Sequence, residues 1–118
     1  MSEASATPVE SEIGFADSEV EKYSRTSGGQ VVVSVRAWNQ RQIEVTFEGV
    51  IAVADHDVGE ISALVCDDLR SEDVLQIAIG RLYESPPRQH PYRAYSFLDH
   101  DDGLSLVIVA EAHHLRYF

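Results

Sequence analysis

The clearest pattern in the chain is a strict alternation of apolar and polar side chains over residues 42–48. Ile43, Val45 and Phe47 would share one side of a strand, and the polar residues beside them, two of which are glutamates, would share the other. Successive side chains of a strand point to opposite faces, so this pattern is typical of an antiparallel strand with one dry and one solvated face. Residues 30–38 alternate in the same way, and the polar residues 39–41 between the two segments predict a turn.

Longer apolar runs predict strands that are buried more deeply. Residues 50–54, 61–66 and 104–110 form such runs, while residues 92–98 alternate. An Asp-Gly pair precedes the last run, which indicates a hairpin between residues 92–98 and 104–110. A strand that is apolar on both faces, as 104–110 is, needs cover above and below. A helix can supply one cover, and the N-terminal segment, a dimer partner or a wrapped sheet would have to supply the other.

One amphipathic helix is predicted over residues 72–84. Ser71 is placed to cap its first turn, whose two acids complement the positive end of the helix dipole. Pro86 and Pro87 end the segment, because neither can donate a helical hydrogen bond. The apolar residues that fall within one wide arc of this helix, and would pack against a sheet, are Val74, Leu75, Ala78, Ile79 and Leu82. The predicted fold is therefore α+β, with a mainly antiparallel sheet of about five strands in the order β-β-β-α-β-β and the helix on one face.

The N-terminal segment, residues 1–28, differs in composition from the rest of the chain. It is rich in serine and acidic residues, and its apolar residues are sparse. Such a segment cannot bury enough apolar surface to fold alone, so residues 1–28 are predicted to be a flexible acidic tail. A short capped turn would allow part of it to dock. Gly28 and Gly29 mark the predicted boundary with a single α+β domain over residues 29–118.

Charge narrows the classes of partner. Twenty Asp and Glu residues outnumber nine Lys and Arg residues, which gives a formal net charge of −11. Proteins recognise nucleic acids and anionic lipid surfaces through basic residues, so neither is expected as a partner. A basic protein or a divalent cation would suit this surface, although net charge also serves solubility alone.

Targeting signals are missing from the sequence. No apolar run approaches the roughly 20 residues of a membrane span. The N-terminus lacks the basic start and the apolar run of a secretory signal, so a cytoplasmic location is expected.

Two loops in which aspartates flank a histidine are the candidate metal site. Carboxylate oxygens suit calcium or magnesium, and imidazole suits zinc or manganese. If the loops converge in space, a small metal-dependent enzyme would use them; otherwise they are structural, because Asp and Gly favour tight turns for conformational reasons alone. The candidate ligands are Asp55, His56 and Asp57 in one loop, and Asp99, His100, Asp101 and Asp102 in the other.

Motifs of nucleophilic or nucleotide-dependent catalysis are not found in the sequence. It has no GxSxG, phosphate-loop or dinucleotide-binding glycine pattern. The single cysteine, Cys66, follows apolar neighbours and is expected to be a buried, inert thiol that cannot form an intrachain disulfide. No cofactor is expected apart from the metal considered above, and no motif resembles that of a known family.

Four residues are candidates for protein binding. Trp38, next to the first predicted turn, is either an interface anchor or a cap of the core. Glu44 and Glu48 lie on the solvated face of their predicted strand. Tyr92 ends a proline-rich segment, residues 83–92, which is either a recognition loop or a stiff crossover.

The function expected from these features is that of a small acidic, non-catalytic protein-binding module. It would act as an adaptor, a regulator or an immunity-like neutraliser of a basic protein, which it would meet through acidic loops and an exposed strand edge. The alternative is the small metal-dependent enzyme described above. A homodimer is also expected, because a single helix would leave apolar strand surface uncovered.

Overall fold

A computed structural model of the chain describes residues 6–26, 28–85 and 89–118. Within these ranges the chain forms ten strands and one α-helix, and the strands make two antiparallel sheets of five strands each. The predicted α+β class with antiparallel pairing is confirmed, whereas the single predicted sheet is corrected to two. The strands are β1 (Thr7–Pro8), β2 (Ser18–Thr26), β3 (Gln30–Arg36), β4 (Gln42–Glu48), β5 (Ala52–Asp55), β6 (Glu60–Ile61), β7 (Ala63–Cys66), β8 (Arg93–Leu98), β9 (Leu104–Ala110) and β10 (Ala112–Tyr117). A 3-10 turn, Leu69–Ser71, leads into helix α1, Glu72–Leu82.

The two sheets stack into a sandwich with the core between them. The helix-side sheet has the strand order β1-β7-β8-β9-β5, and the open sheet has the order β10-β4-β3-β2-β6. Alternation in β3 and β4 directs every second side chain inward, so Val33 and Val45 are fully buried. The Phe47 ring of the open sheet lies against Tyr95 and Phe97 of the helix-side sheet, with centroid separations of 5.1 and 6.2 Å. These aromatic contacts join the two sheets at the centre of the core.

Strand β9 has apolar cover on both faces. Leu106 and Ile108 belong to the core between the sheets. Val107 and Val109 pack with Ala78 of α1 on the outer face. The second cover that the sequence requires is thus the open sheet, so β9 does not need a dimer partner to keep it dry.

The predicted boundary at residue 28 is wrong for residues 6–26, which are part of the sandwich. Ile13, Phe15 and Val20 are buried in the core. Strand β1 pairs with β7, and β2 pairs with β3 and β6. Residues 1–5 and 27 of the predicted tail lie outside the described residues.

The low apolar content of this segment reflects a strand with only one buried face. Val20 points into the core, while the opposite face of β2 is polar and pairs across the sheet, as in the 2.7 Å contact between Glu19 and Arg36. A strand of this kind needs few apolar residues. Gly28 and Gly29 have φ angles of 83° and 75°. They make the tight connection between β2 and β3 instead of a domain boundary.

Helix α1 ends at Leu82, before the predicted end at residue 84. The hydroxyl of Ser71 does not cap it, because Ser71 Oγ lies 2.6 Å from Ser96 Oγ of β8 and both serines are buried. This pair fixes the start of the helix to the helix-side sheet, while Asp68 caps the 3-10 turn by accepting the N–H of Arg70 at 2.8 Å. The two prolines predicted to end the helix lie outside the described residues. In the described part of the chain, no helix has the length and apolar character that crossing a membrane requires.

Phe15→Ala should lower the free energy of unfolding by about 3 kcal/mol, because it removes a buried ring from the core. Urea unfolding followed by circular dichroism measures this change. Ser24→Ala on the exposed part of β2 is the control and should change the free energy by less than about 0.5 kcal/mol. If Phe15→Ala were as mild as this control, the N-terminal segment would not be part of the core.

Candidate functional site

A cleft of about 270 Å³ opens where the open sheet meets the loop between β8 and β9. It is formed by the turn before β2 with the start of β2, by the end of β3 with the turn between β3 and β4, by strand β6, and by the β8–β9 loop. Strand β2 pairs with both β3 and β6, so these segments are neighbours although they are distant in sequence. We call this site the Trp38 cleft; the side chains that determine its chemistry are Asp17, Glu19, Arg36, Trp38, Glu60 and His100.

Trp38 is presented to solvent by the turn between β3 and β4. Ala37 accepts a hydrogen bond from the N–H of Gln40 at 2.9 Å and donates one to the carbonyl of Arg41 at 2.8 Å, which closes the turn. Gln40 adopts a positive φ of 69°. Ala37 is the last inward residue of this run, so the next side chain points outward and Trp38 is 61% exposed. The indole therefore does not cap the core.

Carboxylates dominate the charges of the cleft. Arg36 contacts Glu19 at 2.7 Å and Glu21 at 3.2 Å. Glu60 Oε1 lies 3.4 Å from His100 Nε2, an ion pair only when the imidazole is protonated. The carboxylate of Asp17 has no hydrogen-bond or ion-pair partner among the described residues. Three lining carboxylates against one permanent cation leave the cleft negative.

In the first predicted metal loop, the carboxylate of Asp55 accepts hydrogen bonds from backbone N–H groups of the same loop. Asp55 Oδ1 accepts the N–H groups of Asp57 at 2.9 Å and Val58 at 3.1 Å. Asp55 Oδ2 accepts the hydroxyl of Tyr23 at 2.6 Å, and this hydrogen bond, more than the backbone amides, holds the pKa of Asp55 below its ordinary value. His56 and Asp57 are exposed. The loop is thus a hydrogen-bonded turn that also links β5 to β2 of the other sheet.

The second predicted metal loop is organised in the same way. Asp99 Oδ1 accepts the N–H groups of Asp101 at 2.9 Å and Gly103 at 2.8 Å. The carbonyl of Asp102 accepts a hydrogen bond from Arg70, which ties the loop to the 3-10 turn before α1. His100, in contrast, turns toward Glu60 and lines the Trp38 cleft.

Both loops lie at the same end of the helix-side sheet, but their ligating groups do not come together. Strands β5 and β8 flank β9. The N–H of His56 bonds to Ser105 of β9 at 2.8 Å, and the N–H of Asp99 bonds to Gly103, directly before β9, at 2.9 Å. Two strand spacings, roughly 10 Å, separate them. The described residues contain no group of three or more His, Cys, Asp or Glu side chains that could hold a metal ion.

The other predicted protein-binding residues lie outside the Trp38 cleft. Glu44 contacts Arg116 at 3.7 Å and Glu48 contacts His114, both on the outer face of the open sheet. Tyr92 is half-buried and packs beside the small cluster under α1. Residues 86–88 at the centre of the proline-rich segment lie outside the described residues.

Cys66 is buried, as the sequence predicts. Its Sγ accepts a long contact of 3.7 Å from Arg93 Nη1, and burial, the main cause, raises the pKa of the thiol. The nearby imidazole of His113 pairs with the hydroxyl of Tyr95 at 3.3 Å, and burial lowers its pKa. A thiol that stays protonated is a poor nucleophile.

The sequence analysis identifies Trp38 and His100 as candidate residues, but it does not identify the carboxylates and the arginine of the cleft. Asp17 and Glu19 lie in the segment predicted to be a tail, and Arg36 and Glu60 stand alone in the sequence without a motif. Comparison of the chain with protein-family models, with curated proteins and with solved structures finds no match. The chemistry of the Trp38 cleft is therefore the basis for a functional assignment.

Tyr23→Phe should raise the pKa of Asp55 toward its ordinary value, because the substituted ring cannot donate to Oδ2. A carboxyl group whose folded pKa is depressed stabilises the fold above its unfolded pKa and loses that contribution as the pH falls through the folded pKa. The stability advantage of the wild type over Tyr23→Phe should thus be present above the ordinary aspartate pKa of about 3.9 and should shrink as the pH falls below it.

Carboxyl-carbon NMR titration measures the pKa of Asp55, and urea unfolding at each pH measures the stability. Tyr92→Phe serves as the control and should leave both quantities unchanged. An equal Asp55 pKa in wild type and Tyr23→Phe would show that the backbone amides alone hold this carboxylate.

Proposed function

We propose that the protein is a small cytoplasmic, non-catalytic binding module that takes a basic segment of another protein in the Trp38 cleft. One observation carries this proposal: Trp38, the most exposed aromatic ring among the described residues, borders a cleft whose lining carboxylates outnumber its cations. An exposed indole beside carboxylates that outnumber their cations has no evident role in holding the fold.

The cleft suits an arginine or lysine side chain. A guanidinium group can stack on an indole face while its N–H groups bond to a carboxylate, and Asp17 and Glu60 supply carboxylates at this cleft. Each such contact at an exposed site contributes about 0.5–1 kcal/mol. A stable complex therefore requires several basic residues, which is why we propose a basic segment and not a single amino acid.

The net charge of the chain supports the same type of partner. A formal charge of −11 on 118 residues attracts a basic protein over distances longer than any contact. Electrostatic attraction of this kind increases the association rate and makes binding sensitive to salt.

The contacts within the cleft favour binding over catalysis. The only hydroxyl lining it, that of Ser18, is buried and donates to the carbonyl of Ala16 at 3.5 Å, so it does not pair with His100. The carboxylates of Asp55 and Asp99, the centres of the proposed metal loops, are engaged with backbone amides. No observation favours the metal-dependent enzyme over the binding module.

An oligoarginine peptide should quench or shift the intrinsic fluorescence of the protein in a saturable, salt-sensitive manner. The chain has a single tryptophan, so emission excited at a wavelength that its five tyrosines do not absorb reports on the Trp38 cleft alone. Asp17→Asn and Glu60→Gln should each weaken the apparent affinity by about two- to fivefold, because each removes one exposed carboxylate from the cleft.

Glu84→Gln removes the same charge outside the cleft and is the matched control, which should bind as the wild type does. An oligoglutamate peptide of equal length should produce no change. Equal weakening by Glu84→Gln would indicate attraction to overall charge only, and a response to oligoglutamate would refute recognition of a basic segment.

A further inference from the structure

Strand β10 is the longest strand at an edge of either sheet in the described part of the chain. The other edge strands are short: β1 and β6 have two residues each, and β5 has four, whereas β10 has six. An edge strand presents a row of unpaired backbone N–H and C=O groups on which another strand can pair. Strands β1 and β5 offer shorter edges than β10, and β6 covers only Ser18 and Glu19 of β2.

The register of β10 shows which of its backbone groups are free. Phe118 donates its N–H to Gln42 at 2.9 Å, and Ala112, His114 and Arg116 stand opposite every second residue of β4 in the same phase. In an antiparallel pair, the residues that alternate with these point their N–H and C=O groups away from the partner strand. Those residues are His113, Leu115 and Tyr117, and the described residues supply no hydrogen-bond partner for their backbone groups.

These three positions are symmetric about Leu115. We propose that two copies of the chain pair through β10 in an antiparallel manner, with a twofold axis at Leu115. Leu115 then faces Leu115 of the second copy, and His113 of each copy faces Tyr117 of the other. All three N–H and all three C=O groups of each strand are satisfied, and the two open sheets become one continuous sheet.

The charge of β10 does not oppose pairing between two copies. Strand β10 contains Arg116 and two histidines and no acidic residue, in a chain with a net charge of −11. The N-terminal segment alongside it is acidic: the Tyr117 hydroxyl accepts the N–H of Glu12 at 2.9 Å, and Glu10 lines the grooves next to Tyr117 and His113. The strand itself carries no negative charge that would repel a second copy.

The outer face of the strand pair does not oppose this arrangement. Arg116 would stand across from His114 of the second copy, but each has its own carboxylate, Glu44 for Arg116 and Glu48 for His114. The Trp38 cleft lies toward the β2–β6 side of the open sheet, at the opposite edge. The dimer is thus independent of the proposed peptide binding.

Sedimentation equilibrium should show a concentration-dependent dimer for the full wild-type chain. Leu115→Pro should be monomeric, because proline removes an N–H that pairing between the copies uses and that β4 does not. Leu115→Ala, which keeps the N–H, is the matched control and should still dimerise. Circular dichroism should show the same sheet content in all three proteins. A wild type that is monomeric at high concentration, or a Leu115→Pro variant that dimerises as the wild type does, would overturn the proposal.

A second measurement does not depend on the folding of the proline variant. Leu115→Cys in a Cys66→Ala background places two thiols across the twofold axis, with Cα atoms about 5.5 Å apart, which is within reach of a disulfide. Mild oxidation should link this variant into a covalent dimer much faster than Ser24→Cys in the same background, since Ser24 is exposed on β2. Equal rates of cross-linking in the two variants would contradict pairing through β10.

Discussion

The exclusion of water from both faces of β9 is the constraint on which the fold depends. The side chains of this strand are buried in both directions, Leu106 and Ile108 toward one face and Val107 and Val109 toward the other. The open sheet covers the first pair and α1 covers the second. Buried apolar area contributes roughly 25 cal/mol per Å², so a single sheet with one helix would forgo the stabilisation of one whole face.

The position of the Trp38 cleft follows from the chain passing from one sheet to the other. Strand β6 of the open sheet continues after one residue into β7, which pairs with β8, so the β8–β9 loop lies next to β6 and His100 lies next to Glu60. The connections at this end cannot continue the strand ladders, and Asp17 and Gln40 adopt positive φ angles of 55° and 69° there. Turns of this kind expose side chains that a strand would pair or bury. Exposed polar and aromatic side chains of the sandwich are therefore found together at this end.

The Trp38 cleft and β10 lie at opposite edges of the open sheet. Between them the outer face of the open sheet is polar and internally paired, as the contacts of Arg36 with Glu19 and of Arg116 with Glu44 show. A dimer formed through β10 would carry one cleft on each outer side of a continuous sheet. Two linked clefts raise the effective concentration for a partner with repeated basic segments, so weak individual contacts would suffice for binding.

The sequence alone determined the elements whose signals are local. The alternation around Val45 specified β4, the Asp-Gly turn specified the β8–β9 hairpin, and the helical period specified α1, because each pattern spans only a few residues. Burial of Cys66 and the turn after Trp38 followed from their neighbours, whereas the exposure of the indole did not. Only the tertiary structure decided that there are two sheets, that β2 is part of one of them, and that Asp17 and Glu60 share a cleft. Strand pairing and sheet stacking join residues that are far apart in sequence, and an alternating pattern specifies which face of a strand is buried but not what buries it.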